Sequence, residues 1–357
     1  MFIDCDSHVL EPADLWLTYL EPRYRDRAIR VEEKDGVEQL IIGEKVVLKG
    51  VLAGLGGADN DKAEIFTGKL KYRDGCPPAS YDPYARAKLL DDWGLDSTVV
   101  FPTICILPFP TDDQELANAY CRAYNNWMAE FSQCIPGRVL PVAVVNWHDV
   151  DAACEELTRC LNLGFKALFV PPEIIGGKRI SDTHFDRLWA ICQDADMPGC
   201  LHVIVRFEGA AIPFAHWHAT SPGPIFSFGL GGTGQMIPAI TAMVTDLLFE
   251  RFPRLKIASV EAGCGYAPYL MDRLDAKHEA FNALVNMPKK PSEYIKQNCY
   301  FVAEPRERTI KDVLRLVGED HVMWGSDYPH IDAVGFGPDG GIRMDVLQRN
   351  AARLFGL

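Results

Sequence analysis

No stretch of this 357-residue sequence approaches the roughly 20 consecutive uncharged apolar residues that a membrane-spanning helix needs, so no membrane partner is expected. A secretory leader is equally hard to find, because Met1 runs straight into Phe2-Ile3-Asp4-Cys5-Asp6 without a basic segment followed by an apolar one. Lys/Arg runs are missing too. With 36 basic residues against 49 acidic ones the formal charge is −13, which repels phosphate backbones, so nucleic acid is not expected as a partner. The 11 cysteines form no Cys-x-x-Cys pair, and several sit in apolar segments. That pattern excludes a zinc ribbon and a disulfide framework, and it reads as reduced, buried thiols in a cytoplasmic protein. Internal repeats and low-complexity tracts are also lacking.

What is present is a rhythm. Short apolar, β-branched runs occur at Phe2–Ser7, Ser97–Pro102, Val139–Asn146, Ala167–Pro171, Gly199–Val203, Lys256–Glu261, Cys299–Val302 and His321–Ser326. Most are continuous rather than alternating, which suits parallel strands covered on both faces. Helical periodicity fills the intervals at Asp113–Gln133, Asp149–Leu163, Phe185–Ala195, Met243–Phe252, Ala267–Phe281 and Arg343–Phe355. An apolar fraction of 48% supports a large core, and the length suits one (β/α)8 TIM barrel with insertions better than a minimal domain. An open doubly wound sheet is the competing α/β architecture. The expected organisation is one domain over 1–357, interrupted twice. An insertion at about 11–81 carries a hairpin at Val37–Lys49, and a Gly-, Pro- and aromatic-rich loop at about 204–235 is read as a lid. Loops of such length inside a compact domain are usually functional or disordered, and both follow strand C-terminal ends, where barrels build their sites.

The polar residues fall on those ends. Asp6 and His8 close the first strand and, at a period of two, share one face; His202 closes the fifth, Glu261 the sixth and Asp327 the eighth. Singly, each has a plain structural alternative: a hydrogen-bonded strand-end histidine, a capping Asp6, a turn-forming Asp327 before Tyr328-Pro329. Together, Asp6, His8, His202 and Asp327 offer two imidazoles and two carboxylates, a set suited to one divalent ion, Zn, Mn or Fe, with room for water and substrate.

Longer segments carry a resemblance. Asp4-Cys5-Asp6-Ser7-His8 with Glu11-Pro12, Leu89–Pro102, Ala117–Ala129, Gly164-Phe165-Lys166-Ala167, Leu247–Leu274 and Trp324-Gly325-Ser326-Asp327-Tyr328-Pro329-His330 are similar to the amidohydrolase superfamily. The similarity lies in the branch containing aminocarboxymuconate-semialdehyde decarboxylase and the resorcylate-type decarboxylases. It implies one metal at Asp6, His8, His202 and Asp327, and a homodimer as the first guess for assembly. Two positions depart from the pattern. Asp6 stands where the better-known motif has the first His of His-x-His, a harder and more anionic ligand that moves preference from zinc toward manganese or iron. Glu261 stands where many members place a catalytic His, and it either acts as base or hydrogen-bonds a ligand. Other members of the superfamily bridge two metals with a carboxylated lysine; Lys166 enters its strand at the wrong end for that.

Two chemistries share this frame. Hydrolysis would use a metal-activated water, with Asp327 or Glu261 taking its proton. Non-oxidative decarboxylation, slightly favoured, would protonate a ring or enol carbon as CO₂ leaves. Asp327, Glu261 and His202 are the expected catalytic residues, and Arg206, His216, Trp217, His218 and His330 the expected substrate contacts. Arg206 could clamp a carboxylate or form a rim ion pair, and His330 could touch substrate or orient the Asp327 turn. Phe207, Phe214, Phe226 and Phe228 in the lid suit a small, partly apolar, oxygenated or carboxylated molecule. Gly229-Leu230-Gly231-Gly232-Thr233-Gly234 fits a dinucleotide fingerprint in letters but not between a strand and a helix, so no nucleotide cofactor is expected. A barrel that kept the ligands and lost its chemistry is the remaining alternative, suggested by Glu261.

Overall fold

A computed structural model of the chain describes residues 1–50, 52–67, 70–106, 109, 111–204, 224–304, 307–333 and 344–357, the side chains of 53, 66, 224, 226–228 and 344 excepted. The described residues divide into two compact units, one from 1–166 with 326–333 and the other from 167–204, 224–325 and 344–357.

In the first unit the strands are β1 (Ile3–His8), β2 (Arg30–Lys34), β3 (Val37–Ile42), β4 (Lys45–Lys49), β5 (Ser97–Phe101) and β6 (Val139–Ala143). β1, β5 and β6 run parallel, and every residue in them is buried; β5 and β6 accordingly read as mainly apolar, whereas β1, Ile-Asp-Cys-Asp-Ser-His, buries polar side chains. The register of β1 on β5 slips between Asp4 and Ser7, a bulge just before the polar strand end. Helix Gln114–Cys134 follows β5; Asp113 caps it by accepting from Leu116 N, and Leu116, Ala119, Tyr120, Ala123, Trp127 and Phe131 form its buried stripe. Asp149 caps helix Val150–Asn162 in the same way, through Ala152 N. The insertion contains the expected antiparallel pair β3–β4 and also β2, a third strand that sequence reading passed over. β2 reads Arg-Val-Glu-Glu-Lys and is largely exposed, so it carries almost no apolar signal.

The second unit contains β7 (Ala167–Val170), the short hairpin β8 (Ile174–Ile175) and β9 (Lys178–Arg179), then β10 (Gly199–His202), β11 (Ile257–Val260), β12 (Cys299–Ala303) and β13 (Val322–Trp324). β7 and β10 to β13 are parallel neighbours, again fully buried. Strand order follows the chain within each unit, β1-β5-β6 in the first and β7-β10-β11-β12-β13 in the second, parallel throughout as in a (β/α)8 barrel. One expectation needs correction. Helix Pro224–Thr245 occupies the latter half of the segment read as an irregular lid, and the helix expected at Met243–Phe252 is only a short turn at Leu248–Arg251. Four glycines at 229, 231, 232 and 234 and Pro238 hide the helical period there, and local propensity yields to packing.

Candidate metal centre

In the first unit the outer edge of β1 is taken by the segment after β13. Ser326 N and Asp327 N both donate to Asp6 O, at 3.1 and 2.8 Å, and His8 N donates to Tyr328 O at 2.7 Å. Asp4 supports the same turn from below, accepting from Ser326 Oγ at 2.6 Å and Ser326 N at 2.9 Å. Burial pushes the Asp4 carboxyl up to about 7 against these hydrogen bonds.

The turn presents Asp327 to His8. The His8 ring is fully buried and its Nδ1 lies 2.7 Å from Pro102 O. A carbonyl only accepts, so the proton is assigned to Nδ1 and Nε2 carries the lone pair. That Nε2 lies 3.4 Å from Asp6 Oδ1 and 3.4 Å from Asp327 Oδ1. One nitrogen lone pair and two carboxylate oxygens face one another, a donor set with the chemistry of a divalent-cation site. Asp327 adopts φ +59°, a left-handed conformation that Asp tolerates better than bulkier residues. Its Oδ1 accepts from His330 Nδ1 at 2.8 Å, and His330 Nε2 lies 3.1 Å from Thr103 Oγ1. Ligand atoms of His8, Asp327 and His330 fall within 4.8 Å of one another.

Sequence reading missed three supports in this unit. Arg86 is fully buried, donates to Ser7 Oγ, His8 O and Ala79 O, and lies 5.5 Å from the Tyr328 ring centre. Desolvation pulls its pKa down to about 10, which still leaves a guanidinium at neutral pH. Glu11, also fully buried, accepts from the backbone N–H groups of Thr103, Ile104 and Cys105. Thr103 is the third. Only the Glu11-Pro12 pair behind the first strand hinted at any of them.

In the second unit His202 closes β10, fully buried, with Nδ1 donating to Val203 O at 2.9 Å. Its Nε2 lies 3.2 Å from Glu261 Oε2. Gln235 fixes the chain just beyond: Ile204 N donates to its Oε1 at 3.0 Å and its Nε2 donates to Ile204 O at 2.9 Å. Glu261 sits at φ +55°, strained for a residue with a Cβ. The loop it opens is held by Glu307, which accepts from Cys264 N at 2.9 Å and from Gly265 N. A Cβ at Gly232 would lie 2.3 Å from Glu261 O, so part of the glycine run exists to let a helix approach this loop.

Arg206, His216, Trp217 and His218 lie outside the described residues, as do Phe207, Phe214 and the side chains of Phe226 and Phe228. Cys105 is buried and its thiol is pushed well above its usual range by burial. No disulfide joins any of the eleven cysteines. Among the described residues no helix is long and apolar enough to cross a membrane.

Residues 3–357 match the amidohydrolase family profile. Among characterised relatives, gamma-resorcylate decarboxylase of Rhizobium sp. (strain MTP-10005) is 27% identical over 261 residues, 68% of this chain and 76% of that protein. An amidohydrolase from Mycobacterium avium subsp. paratuberculosis K-10 superposes with TM-score 0.80 at 21% identity, covering 100% of this chain and 98% of its own. A 5-carboxyvanillate decarboxylase from Novosphingobium aromaticivorans DSM 12444, with bound manganese and 3-methoxy-4-hydroxy-5-nitrobenzoic acid, superposes with TM-score 0.68 at 19% identity, covering 100% and 97%. At such identity these superpositions establish the barrel fold.

Proposed function

Because this chain belongs to the amidohydrolase family, we propose that it is a metal-dependent carboxy-lyase removing CO₂ without oxidation from a small aromatic carboxylate. The observation that carries the reading is His8 Nε2, its ring proton committed to Pro102 O, facing Asp6 Oδ1 and Asp327 Oδ1 at 3.4 Å each. Three electron-rich atoms so close call for a positive charge among them. Asp6, His8, His202 and Asp327 hold that charge as one divalent ion, and the two acids favour manganese or iron over zinc. The manganese in a related decarboxylase, and a relative acting on resorcylate, support the assignment. Bound there, the ion would supply Lewis acidity toward the substrate's oxygen atoms.

The rest falls to side chains. The bond from ring carbon to carboxylate breaks, its electrons stay on the carbon, CO₂ departs and that carbon accepts a proton. Glu261 is the donor we assign. Its Oε2 lies 3.2 Å from His202 Nε2, which puts an acid beside the proposed ligand set without its being one of the four. His330 Nδ1–H fixes Asp327 Oδ1 as an acceptor and keeps that carboxylate directed at His8. Arg206 clamps the substrate carboxylate, with His216, Trp217, His218 and His330 as further contacts, on the strength of their chemistry and place in the sequence. The reading extends to a single domain over 1–357 acting as a cytoplasmic homodimer, with no nucleotide cofactor and no nucleic-acid partner.

The test is metal analysis by plasma mass spectrometry on the wild type and Asp327→Ala, joined to CO₂ trapping over a panel of hydroxybenzoates. About one Mn, Fe or Zn per chain, lost in the variant, together with CO₂ release, is the expected result. Turnover of esters or lactones without CO₂ would replace the lyase with a hydrolase. Absence of metal after reconstitution would leave a binding barrel.

A further inference from the structure

One short turn orients both imidazoles that meet at the end of β1. Pro102 O accepts His8 Nδ1–H at 2.7 Å, and the hydroxyl of the next residue, Thr103, lies 3.1 Å from His330 Nε2. His330 gives its Nδ1–H to Asp327 Oδ1 at 2.8 Å, so in the neutral ring Nε2 accepts and the Thr103 hydroxyl donates. The turn is in turn fixed by Glu11. Three consecutive backbone N–H groups converge on its carboxylate, from Thr103 at 3.2 Å, Ile104 at 2.9 Å and Cys105 at 3.1 Å. Such a run of donors is an anion nest built by the backbone, and here it is filled by the chain's own side chain. Tyr72 Oη donates to Glu11 O at 3.1 Å, which holds the main chain of Glu11 itself.

We infer that Glu11 and Thr103 are positioning residues: Glu11 holds the 102–105 turn, Pro102 O in that turn fixes the His8 tautomer, and the Thr103 hydroxyl anchors His330 Nε2, so that His8 Nε2 and Asp327 Oδ1 are aimed at one point. What the inference says of ion affinity rests on the function proposed above. What it says of tautomers is a property of the chain alone.

The experiment combines ¹⁵N-histidine NMR of metal-free protein with Mn²⁺ titration followed by electron paramagnetic resonance. The proteins are the wild type, Thr103→Val, Thr103→Ser and Glu11→Gln, each checked by melting temperature. Thr103→Val keeps the shape of the side chain and removes the donor. Its expected result is a near-unchanged melting temperature, a His330 Nε2 ¹⁵N shift moved by loss of its donor, and Mn²⁺ affinity down about 10-fold, the lower end of what losing hydrogen-bonded support behind a ligand costs. Thr103→Ser restores both readouts. Glu11→Gln sets amide hydrogens against backbone hydrogens, and it disturbs His8 as well as His330. A wild-type His330 ¹⁵N spectrum and wild-type affinity in Thr103→Val overturn the inference, as does a serine variant no better than the valine one. Should Glu11→Gln fail to fold, the two Thr103 variants decide. Should the wild type itself take up no Mn²⁺, the proposed function fails while the ¹⁵N comparison still rules on the turn.

Discussion

Adjacent glycines in one helix respond oppositely to the same substitution if the account of the Glu261 loop is right. At Gly232 a new methyl would meet Glu261 O at 2.3 Å, Ala262 Cα at 3.0 Å and Ala262 Cβ at 3.2 Å. The obstacle is backbone, already strained at φ +55° and held by Glu307, so it has little room to retreat. Overpacking of this kind costs about 1–3 kcal/mol. Alanine returns about 0.8–1 kcal/mol of helix propensity, leaving Gly232→Ala destabilised by up to roughly 2 kcal/mol. At Gly231 a methyl meets nothing within 4 Å among the described residues, so Gly231→Ala keeps only the propensity gain. Urea denaturation of both variants and the wild type measures the pair. Melting temperature should fall by a few degrees for Gly232→Ala and hold or rise for Gly231→Ala. A Gly232→Ala protein as stable as Gly231→Ala would refute the close approach and the reading of the glycine run that depends on it. Metal-loaded Gly232→Ala should also turn over more slowly, because the displaced carbonyl belongs to the assigned proton donor.

Two other predictions concern buried polar groups. Desolvation raises Asp4 from 3.8 to about 7, so between those values the folded chain holds a proton that the unfolded chain releases. Stability should fall as pH rises through that window, by a few kcal/mol as an upper bound and levelling off above about 7; the slope should flatten in Asp4→Asn, and an unflattened slope in urea melts from pH 5 to 8 would remove Asp4 as its source. Gln235→Leu strands the N–H and C=O of Ile204, which should cost about 2–4 kcal/mol and release the backbone beside His202. Stability equal to wild type in denaturant melts would count against that clamp.

The scaffold was legible because parallel strands buried on both faces leave a signal of their own. Each of the eight runs became a strand within a few residues of its expected ends, Val139–Asn146 shrinking to Val139–Ala143 and His321–Ser326 to Val322–Trp324. Segments without such a signal were not found. β2 is mostly charged and exposed, and helix Pro224–Thr245 contains glycines and a proline, of which Gly232 alone answers to a close contact, with a loop 29 residues on. Asp6, His8, His202, Glu261 and Asp327 could be nominated because ionisable residues at buried strand ends have few structural uses. Glu11 and Thr103 could not be valued in the same way. Their partners are backbone N–H groups and ring nitrogens 92 to 227 residues away, and a backbone donor leaves no trace in the identity of the residue that supplies it.

His8 and His202 share one device, each within its own unit. In both, Nδ1 donates to a carbonyl just past a strand, Pro102 O for His8 and Val203 O for His202. Because a carbonyl never donates, backbone placement dictates the tautomer, and it does so whenever the ring is neutral. Nε2 is thereby left carrying a lone pair, and carboxylate oxygens lie within 3.4 Å of it in both cases. Lone pair against carboxylate is repulsive unless a proton or a cation stands between them, and buried surroundings enlarge the effect. For His202 the facing acid is Glu261 alone, and a cation that takes the Nε2 lone pair also relieves its repulsion with that acid. For His8 two acids converge on one nitrogen; His330 Nδ1–H already reaches Asp327 Oδ1, but it cannot draw all three atoms to one point. A doubly charged ion can, and replacing an imidazole by Asp6 at this point brings the site's own charge closer to cancelling it.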